Sequence, residues 1–299
     1  MPDDACAESP TDQLAEDRGL PDGLVLVSTP IGNLGDVSPR ARATLAASDL
    51  ILCEDTRHTA RLLSAVGVTV KTEPLHEHNE DARIGPVLAL LRAGKRVALV
   101  SDAGTPLVSD PGYRLVRAVL AEGLPVGAVP GPNAALTALV LSGLPPLPFL
   151  FLGFPPPRSA ARRAAFGALR AAERAGLAAT LIWHEAPHRL AETLADMTAA
   201  FGVRPAAVAR ELTKRFEEVR RGPLPELAEH YAAHAVRGEV TVLVGAPEQA
   251  DPEDLDGKLR AALATQSVKD AAAVVAAATG LPRKLVYARA LELSADPGG

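Results

Sequence analysis

Residues 97–116, VALVSDAGTPLVSDPGYRLV, join a four-residue apolar run to a loop crowded with turn-formers and then to a helical pattern. Val97 to Val100 carries the mark of a buried strand. Ser101, Asp102, Gly104, Thr105, Pro106, Ser109, Asp110, Pro111 and Gly112 follow it, and Asp110-Pro111 reads as an N-cap with proline at the first helical position. A strand that ends in a long small-residue loop feeding a helix belongs to an open α/β sheet, where ligands bind at the carboxyl ends of the strands. Glycine in such a loop lets a ligand approach the backbone closely.

The same unit recurs. Leu24 to Val27 precedes Ser28-Thr29-Pro30-Ile31-Gly32-Asn33-Leu34-Gly35-Asp36, and Pro125 to Val129 precedes Pro130-Gly131-Pro132-Asn133 and a helix from Ala134 to Leu141. The first of these loops matches neither a Walker A sequence nor the spaced-glycine dinucleotide fingerprint. Three strands ending this way, with helices between them, predict a mainly parallel α/β layer with a loop-built cleft. A further strand is expected at Asp49 to Cys53 and another near Val70 to Leu75. Helices are expected from Ser38, from Thr56 as N-cap, from Gly85 to Arg92 and from Tyr113 to Ala121.

Beyond residue 142 the proline-rich stretch GLPPLPFLFLGFPPP reads as a junction into a second domain. There strand and helix alternate again, with strands at Phe149 to Gly153, Ala179 to Trp183, Ala206 to Arg210 and Val240 to Gly245. The expected organisation is a disordered acidic tail over 1–22, α/β domains over 23–142 and 143–248, and a helical, helix-turn-helix-like appendage over 253–295. In the appendage, Ser267 caps one helix and Arg283 begins another after Gly280-Leu281-Pro282. Arg283, Lys284 and Arg289 on that helix suit an RNA-contacting or packing role better than a DNA-reading one.

The charged residues cluster rather than scatter. Glu54, Asp55, Thr56, Arg57 and His58 close an apolar strand, and Arg57 and Arg61 share a helix face at a spacing of four. Arg158, Arg162, Arg163, Arg170 and Arg174 give one helix a basic face, suited to phosphate contacts or to plain solvation. This stands against a formal net charge of −5, which argues against a surface that grips nucleic acid throughout. Aromatic residues are 3% of the chain, so a stacking platform for single-stranded bases is not expected. Cys6 and Cys53 are too few for a disulfide framework or a cysteine-based zinc site, and no set of converging metal ligands is visible around His76-Glu77-His78. With no membrane-length apolar run and no secretion signal, the expected location is the cytoplasm.

Eight segments taken in order, STPIGNLGD, EDTRHTARLL, LHEHNE, VSDAGTPLVSDPGYRLV, VPGPNAALTAL, LGFPP, HRLAETL and ARELTK, resemble the 16S ribosomal RNA ribose methyltransferase I family of the tetrapyrrole methylase superfamily. The resemblance spans roughly residues 24 to 293. It implies two α/β domains with a cofactor cleft between them, a homodimer, and a small helical C-terminal domain. It also implies methyl transfer from S-adenosylmethionine to the ribose 2′-hydroxyl of a cytidine in the decoding region of 16S rRNA, with the small ribosomal subunit as partner and neither DNA nor membrane.

Carried over by matching positions, the cofactor would be held by Ser28, Thr29 and Pro30, by Asp102, Gly104, Thr105 and Pro106, and by Pro132, Asn133 and Ala134. Glu185, Ala209 to Leu212 (Glu211 and Leu212 among them) and Gly238 would add backbone contacts from the second domain. Thr105 stands where aspartate is usual in the tetrapyrrole branch, and His184 where many relatives carry tyrosine. A ribose hydroxyl must lose its proton to attack, so a base or cation is needed nearby; Asp55, His58, Glu54 and Lys214 are the candidates. Arg57, Arg61, Arg158, Arg162 and Arg163 are the candidates for RNA phosphates. The rival readings are a precorrin or diphthamide-pathway methyltransferase and a non-enzymatic RNA-binding assembly factor.

Overall fold

The computed structural model describes residues 20–247, 252–279 and 281–295. Most of the expected acidic tail, residues 1–19, lies outside the described residues, as does Cys6. From residue 20 the chain is placed: Asp22 pairs with Arg96 at 2.8 Å, and Pro21 sits against Gly127. By its internal contacts the chain forms two units. The first runs to Thr137 and includes Glu211–Glu218; the second comprises Ala138–Arg210 and the residues from Val219 onward.

The first unit is a five-stranded parallel sheet. Its strands are β1 (Leu24–Val27), β2 (Leu50–Cys53), β3 (Thr72–Pro74), β4 (Val97–Val100) and β5 (Val126–Val129), in the order β3-β2-β4-β1-β5. Side chains alternate between faces along each strand. Leu24, Leu50, Leu52, Val97 and Leu99 pack with Val87, Leu91, Leu115 and Val119. Those partners come from α3 (Glu80–Arg92) and α4 (Tyr113–Ala121). Val25, Val27, Ile51, Cys53, Ala98 and Val100 pack on the other face with Ala41 and Leu45 of α1 (Pro39–Ala46) and Leu63 of α2 (Thr56–Ala65). Burial on both faces is why β2 and β4 carry no polar residue.

The neighbours β1 and β4 send their chains to opposite edges of the sheet, β1 toward β2 and β4 toward β5. That is the topological switch point, and it opens a crevice at their carboxyl ends.

Several helix starts differ from the sequence expectation. Asp55, not Thr56, caps α2: its Oδ1 accepts the Arg57 N–H at 2.8 Å. Gly112, at φ +122°, is the N-cap of α4, so Asp110 is free of that duty. The third helix begins at Glu80 rather than Gly85, with Pro86 inside it. Glu80 is buried and accepts the Leu115 N–H at 3.0 Å, which supplies the first turn of α4 with the acceptor that Asp110 does not provide.

The second sheet comprises β6 (Phe149–Phe151), β7 (Thr180–Glu185), β8 (Pro205–Arg210), β9 (Glu218–Pro223) and β10 (Val240–Val244), ordered β6-β7-β10-β8-β9 and lying in the second unit but for Glu218 at the start of β9. This sheet is mixed, with β6 parallel to β7 and β10 antiparallel to both β7 and β8. Helix α5 (Ala134–Ser142) carries the chain from the first unit into the second. Helices α6 (Ser159–Arg174), α7 (Leu190–Phe201) and α8 (Leu224–Ala233) build one core with the sheet around Phe166, Trp183, Met197, Phe201 and Tyr231. Strand β9 and helix α8 escape the sequence pattern, because Arg220-Arg221-Gly222-Pro223 and Pro225 read as breakers.

Among the described residues the C-terminal segment has three helices, one more than the two predicted: α9 (Pro252–Leu263), α10 (Val268–Thr279) and α11 (Arg283–Ala295). They share a small core of Leu255, Leu259, Ala272, Val275, Val286 and Ala290. Ser267 caps α10 as expected, accepting the Asp270 N–H at 3.2 Å.

Candidate active site

Three loops meet at the carboxyl rim of the first sheet. The loop after β1 is bound to the loop after β4 by a two-way backbone bridge, Thr29 N–H to Gly104 O at 2.9 Å and Gly104 N–H to Thr29 O at 3.1 Å. The Thr29 hydroxyl adds a bond to Ser101 O at 3.2 Å. Thr105 Oγ1 donates to Pro132 O at 3.3 Å and lies 3.4 Å from Asn133 Nδ2, tying in the loop after β5. Asn133 also caps α5, accepting the Leu136 N–H at 3.1 Å.

Close approach of these loops depends on missing side chains. A Cβ on Gly131 would stand 2.8 Å from that of Ser28, and Gly104 takes φ +79° with Ile31 against it. The structure therefore assembles Ser28, Thr29, Pro30, Gly104, Thr105, Pro106, Pro132, Asn133 and Ala134 on one rim.

Segment 211–218 belongs to this unit as well. Glu211 and Thr213 take φ +51° and +65°, left-handed conformations that non-glycine residues adopt at a cost and that cluster at functional sites. Gly32 leaves room for the Lys214 stem, whose Cγ would lie 2.4 Å from an added Cβ. Lys214 Nζ pairs with Glu211 at 2.9 Å, and Leu212 is buried. Thr213 escaped the sequence reading. Its Oγ1 is buried with no hydrogen-bond partner among the described residues, beside Gly32 of the first loop.

The acid–base groups gather at the ends of β2 and β4. Asp102 Oδ1 accepts the Asp55 N–H at 3.1 Å. Burial, with the nearby Glu54 and Asp102 carboxylates, pushes Asp110 up to about 6 against the opposing bond from Ser101. Glu54 is raised too, by desolvation, then by Asp102 and Glu77, with His76 opposing. Asp55 moves the other way, held down by its hydrogen bonds with Arg57. A base for neutral pH needs a pKa near 7, so Asp110 and Glu54 suit that work better than Asp55. Asp110 was read as a helix cap; once Gly112 takes that position, its carboxylate joins the two on neighbouring segments. His58 is exposed on the first turn of α2.

The expected cationic contacts divide. Arg57 and Arg61 are exposed on α2, with Arg57 paired to Asp55 at 3.3 Å. Arg158 and Arg163 are exposed on the second unit. Arg162 is not: it is fully buried, paired to Asp196 at 2.6 Å and to Glu192 at 3.0 Å, so it fastens α6 to α7 and has no surface to offer a phosphate. Arg289 is likewise committed, to Asp256 on α9 and to Glu292.

Glu185 is buried with its carboxylate bonded to the Ala186 N–H at 2.7 Å, the Thr193 hydroxyl at 2.5 Å and Arg189 at 2.5 Å. Gly238, at φ +87°, precedes β10.

Comparison with known proteins agrees with this frame. The family model for tetrapyrrole (corrin/porphyrin) methylases matches residues 23–228, and a model described as the RsmI C-terminal HTH domain matches 249–294. A protein of Mesorhizobium japonicum named ribosomal RNA small subunit methyltransferase I is 47% identical over 285 residues, 94% of this chain and 95% of that one. The chain belongs to the ribosomal RNA small subunit methyltransferase I family of tetrapyrrole methylases. A methyltransferase I of the same name from Micromonospora olivasterospora is also 47% identical, over 88% of this chain and 85% of its own.

The fold is shared with a cobalt precorrin-4 methyltransferase, at TM-score 0.56 and 17% identity over 75% of this chain and 94% of that one. A Thermus thermophilus uroporphyrin-III C-methyltransferase complexed with S-adenosylhomocysteine matches at TM-score 0.51 and 20% identity, over 75% and 97% of the two chains.

S-adenosylmethionine is the cofactor of this protein, and the rim fits it. Small hydroxyls, an amide and open backbone groups suit a nucleoside and an amino-acid tail, Gly104 and Gly131 clear the approach, and the Thr213 hydroxyl is a buried group without a hydrogen-bond partner among the described residues.

Proposed function

We propose that this protein methylates the ribose 2′-hydroxyl of a cytidine in the decoding region of 16S rRNA. It would act in the cytoplasm, as a homodimer, on the small ribosomal subunit. The observation that carries the reading is the 47% identity to a ribosomal RNA small subunit methyltransferase I along almost the full length of both chains. No helix among the described residues is long and apolar enough to cross a membrane.

In this reading S-adenosylmethionine supplies an electrophilic methyl carbon for in-line displacement. Ser28, Thr29, Pro30, Gly104, Thr105, Pro106, Pro132, Asn133 and Ala134 hold it on the rim, with Thr213 and Leu212 beside the first loop. Asp110 takes the proton of the 2′-hydroxyl, with Glu54 and Asp102 keeping its carboxylate basic enough at neutral pH. Asp55, with its carboxylate engaged by α2 and Arg57, serves to shape the loop. Lys214, and His58 at the α2 start, face the charge of the substrate. Arg57, Arg61, Arg158 and Arg163 take phosphates.

The test is transfer of labelled methyl from S-adenosylmethionine to purified small subunits, to free rRNA and to a precorrin mixture. Label in the RNA alone, recovered in ribose after nuclease digestion, is the expected result. Label in the precorrins would move the assignment to the tetrapyrrole branch, and failure to bind S-adenosylmethionine would favour an assembly factor.

A further inference from the structure

Phe154 follows Gly153 (φ +64°) after β6 and is 54% exposed. The core rings Phe166 and Phe201, by contrast, pack on Trp183 and are almost wholly buried. Phe154 leans on the imidazole of His184, with centroids 5.7 Å apart and planes inclined by 56°. Phe151 meets the same imidazole edge-on at 4.9 Å. His184 is firmly placed, its backbone N–H donating to Gly153 O at 2.9 Å and its Nδ1 3.1 Å from Thr241 Oγ1. Burial holds the imidazole below its usual pKa, against the pull of Glu239.

The phosphate side is equally close. Pro155-Pro156-Pro157 link Phe154 to Arg158, four residues that span at most about 14 Å. Arg158 is exposed, and its guanidinium has no ion pair among the described residues. It is also the N-cap of the sixteen-residue α6, which has no side-chain cap because a guanidinium has no oxygen to accept the N–H groups of the first turn. A helix start without a side-chain cap and an exposed guanidinium thus meet at one residue, a combination that favours an anion.

We propose that Phe154, supported by His184, is a stacking platform for an unpaired nucleobase of the RNA substrate, with Arg158 and the start of α6 on a phosphate of the same strand. Every base presents a π-face, so the platform supplies grip without reading sequence. The inference rests on the rRNA reading and adds to it a defined single-strand subsite on the second unit.

The experiment compares the full-length native protein with Phe154→Ala, Phe154→Trp and Arg158→Ala. Binding of a fluorescent single-stranded RNA oligonucleotide, KM and kcat on small subunits, S-adenosylmethionine affinity by calorimetry, and mass by light scattering are measured. Phe154→Ala is expected to weaken oligonucleotide binding and raise KM about tenfold, with kcat, cofactor affinity and mass unchanged. Phe154→Trp restores both values, and Arg158→Ala weakens binding with a shallower salt dependence.

Unchanged RNA binding in Phe154→Ala overturns the proposal. So does a parallel loss of cofactor affinity, which would place the adenine there, or a change of mass, which would place a second copy there. Absence of methyl transfer to RNA by the native protein overturns the rRNA reading instead, while oligonucleotide binding still tests the platform.

Discussion

The backbone N–H of Asp55 donates to the Asp102 carboxylate at 3.1 Å, joining the end of β2 to the loop after β4 across 47 residues of sequence. The bond brings Glu54 into the field of Asp102 and Asp110, and it separates two kinds of carboxylate. Asp55 is lowered by capping and by Arg57, whereas Asp110 is raised by burial among its neighbours.

Asp55 is therefore predicted to act through structure. Asparagine caps a helix about as well as aspartate, so Asp55→Asn retains most activity and stability, while Asp55→Ala lowers the melting temperature and, with it, activity. Parallel thermal melts and methylation assays check this. A large loss of kcat in a fully folded Asp55→Asn protein would return Asp55 to the role of base.

Asp110 has the opposite signature. Its folded-state value of about 6 lies above the ordinary 3.8, so the native state holds the proton more tightly than the unfolded chain. Folding is disfavoured progressively as pH rises from about 4 to 6, and the penalty persists above that range. Asp110→Asn is predicted to melt higher than the native protein at pH 8 and to lose that advantage below pH 4. Its kcat/KM falls a hundredfold or more, about the size of a lost general base, and the native rise of kcat/KM through pH 6 disappears.

Arg162 and Arg163 are adjacent in sequence and opposite in consequence. Arg162→Ala strands the buried Asp196 carboxylate and costs about 3–5 kcal/mol of stability. The Arg163 side chain is 62% exposed and 3.8 Å from the same carboxylate, so Arg163→Ala leaves stability nearly unchanged and shows instead as a higher KM for RNA. Denaturant titration beside steady-state kinetics separates the two.

Gly104 adopts φ +79° at the bridge to Thr29. Gly104→Ala forces a Cβ into a left-handed position at a cost of roughly 1–2 kcal/mol and disturbs the rim locally. Calorimetry is expected to show weakened S-adenosylmethionine binding in a protein that still folds.

Strands β1, β2 and β4 are legible in the chain because they are short apolar runs, each closed by glycine, proline or polar residues, whereas β3, Thr-Glu-Pro, carries no such run. The cofactor rim follows, since its loops are what those closures become. The side-chain roles are less legible. Thr56 and Asp55 are both good caps, and only the backbone geometry chooses Asp55. Arg162 stands among five arginines on one segment, and its burial depends on Asp196 and Glu192 one helix away. The rise at Asp110 needs Glu54 and Asp102, brought close by strand pairing that linear spacing does not display. Thr213 carries no motif signal of its own; its strained backbone and unpartnered hydroxyl exist only in the folded chain.

The central claim is tested most directly by mapping ribose methylation in small-subunit RNA, by nuclease digestion and mass spectrometry, from cells with and without this protein. The account predicts one 2′-O-methylcytidine in the decoding region that disappears without the protein and returns when it, but not its Asp110→Asn variant, is supplied. An unchanged decoding region, or a lost methyl group that belongs to a base rather than a ribose, would contradict it.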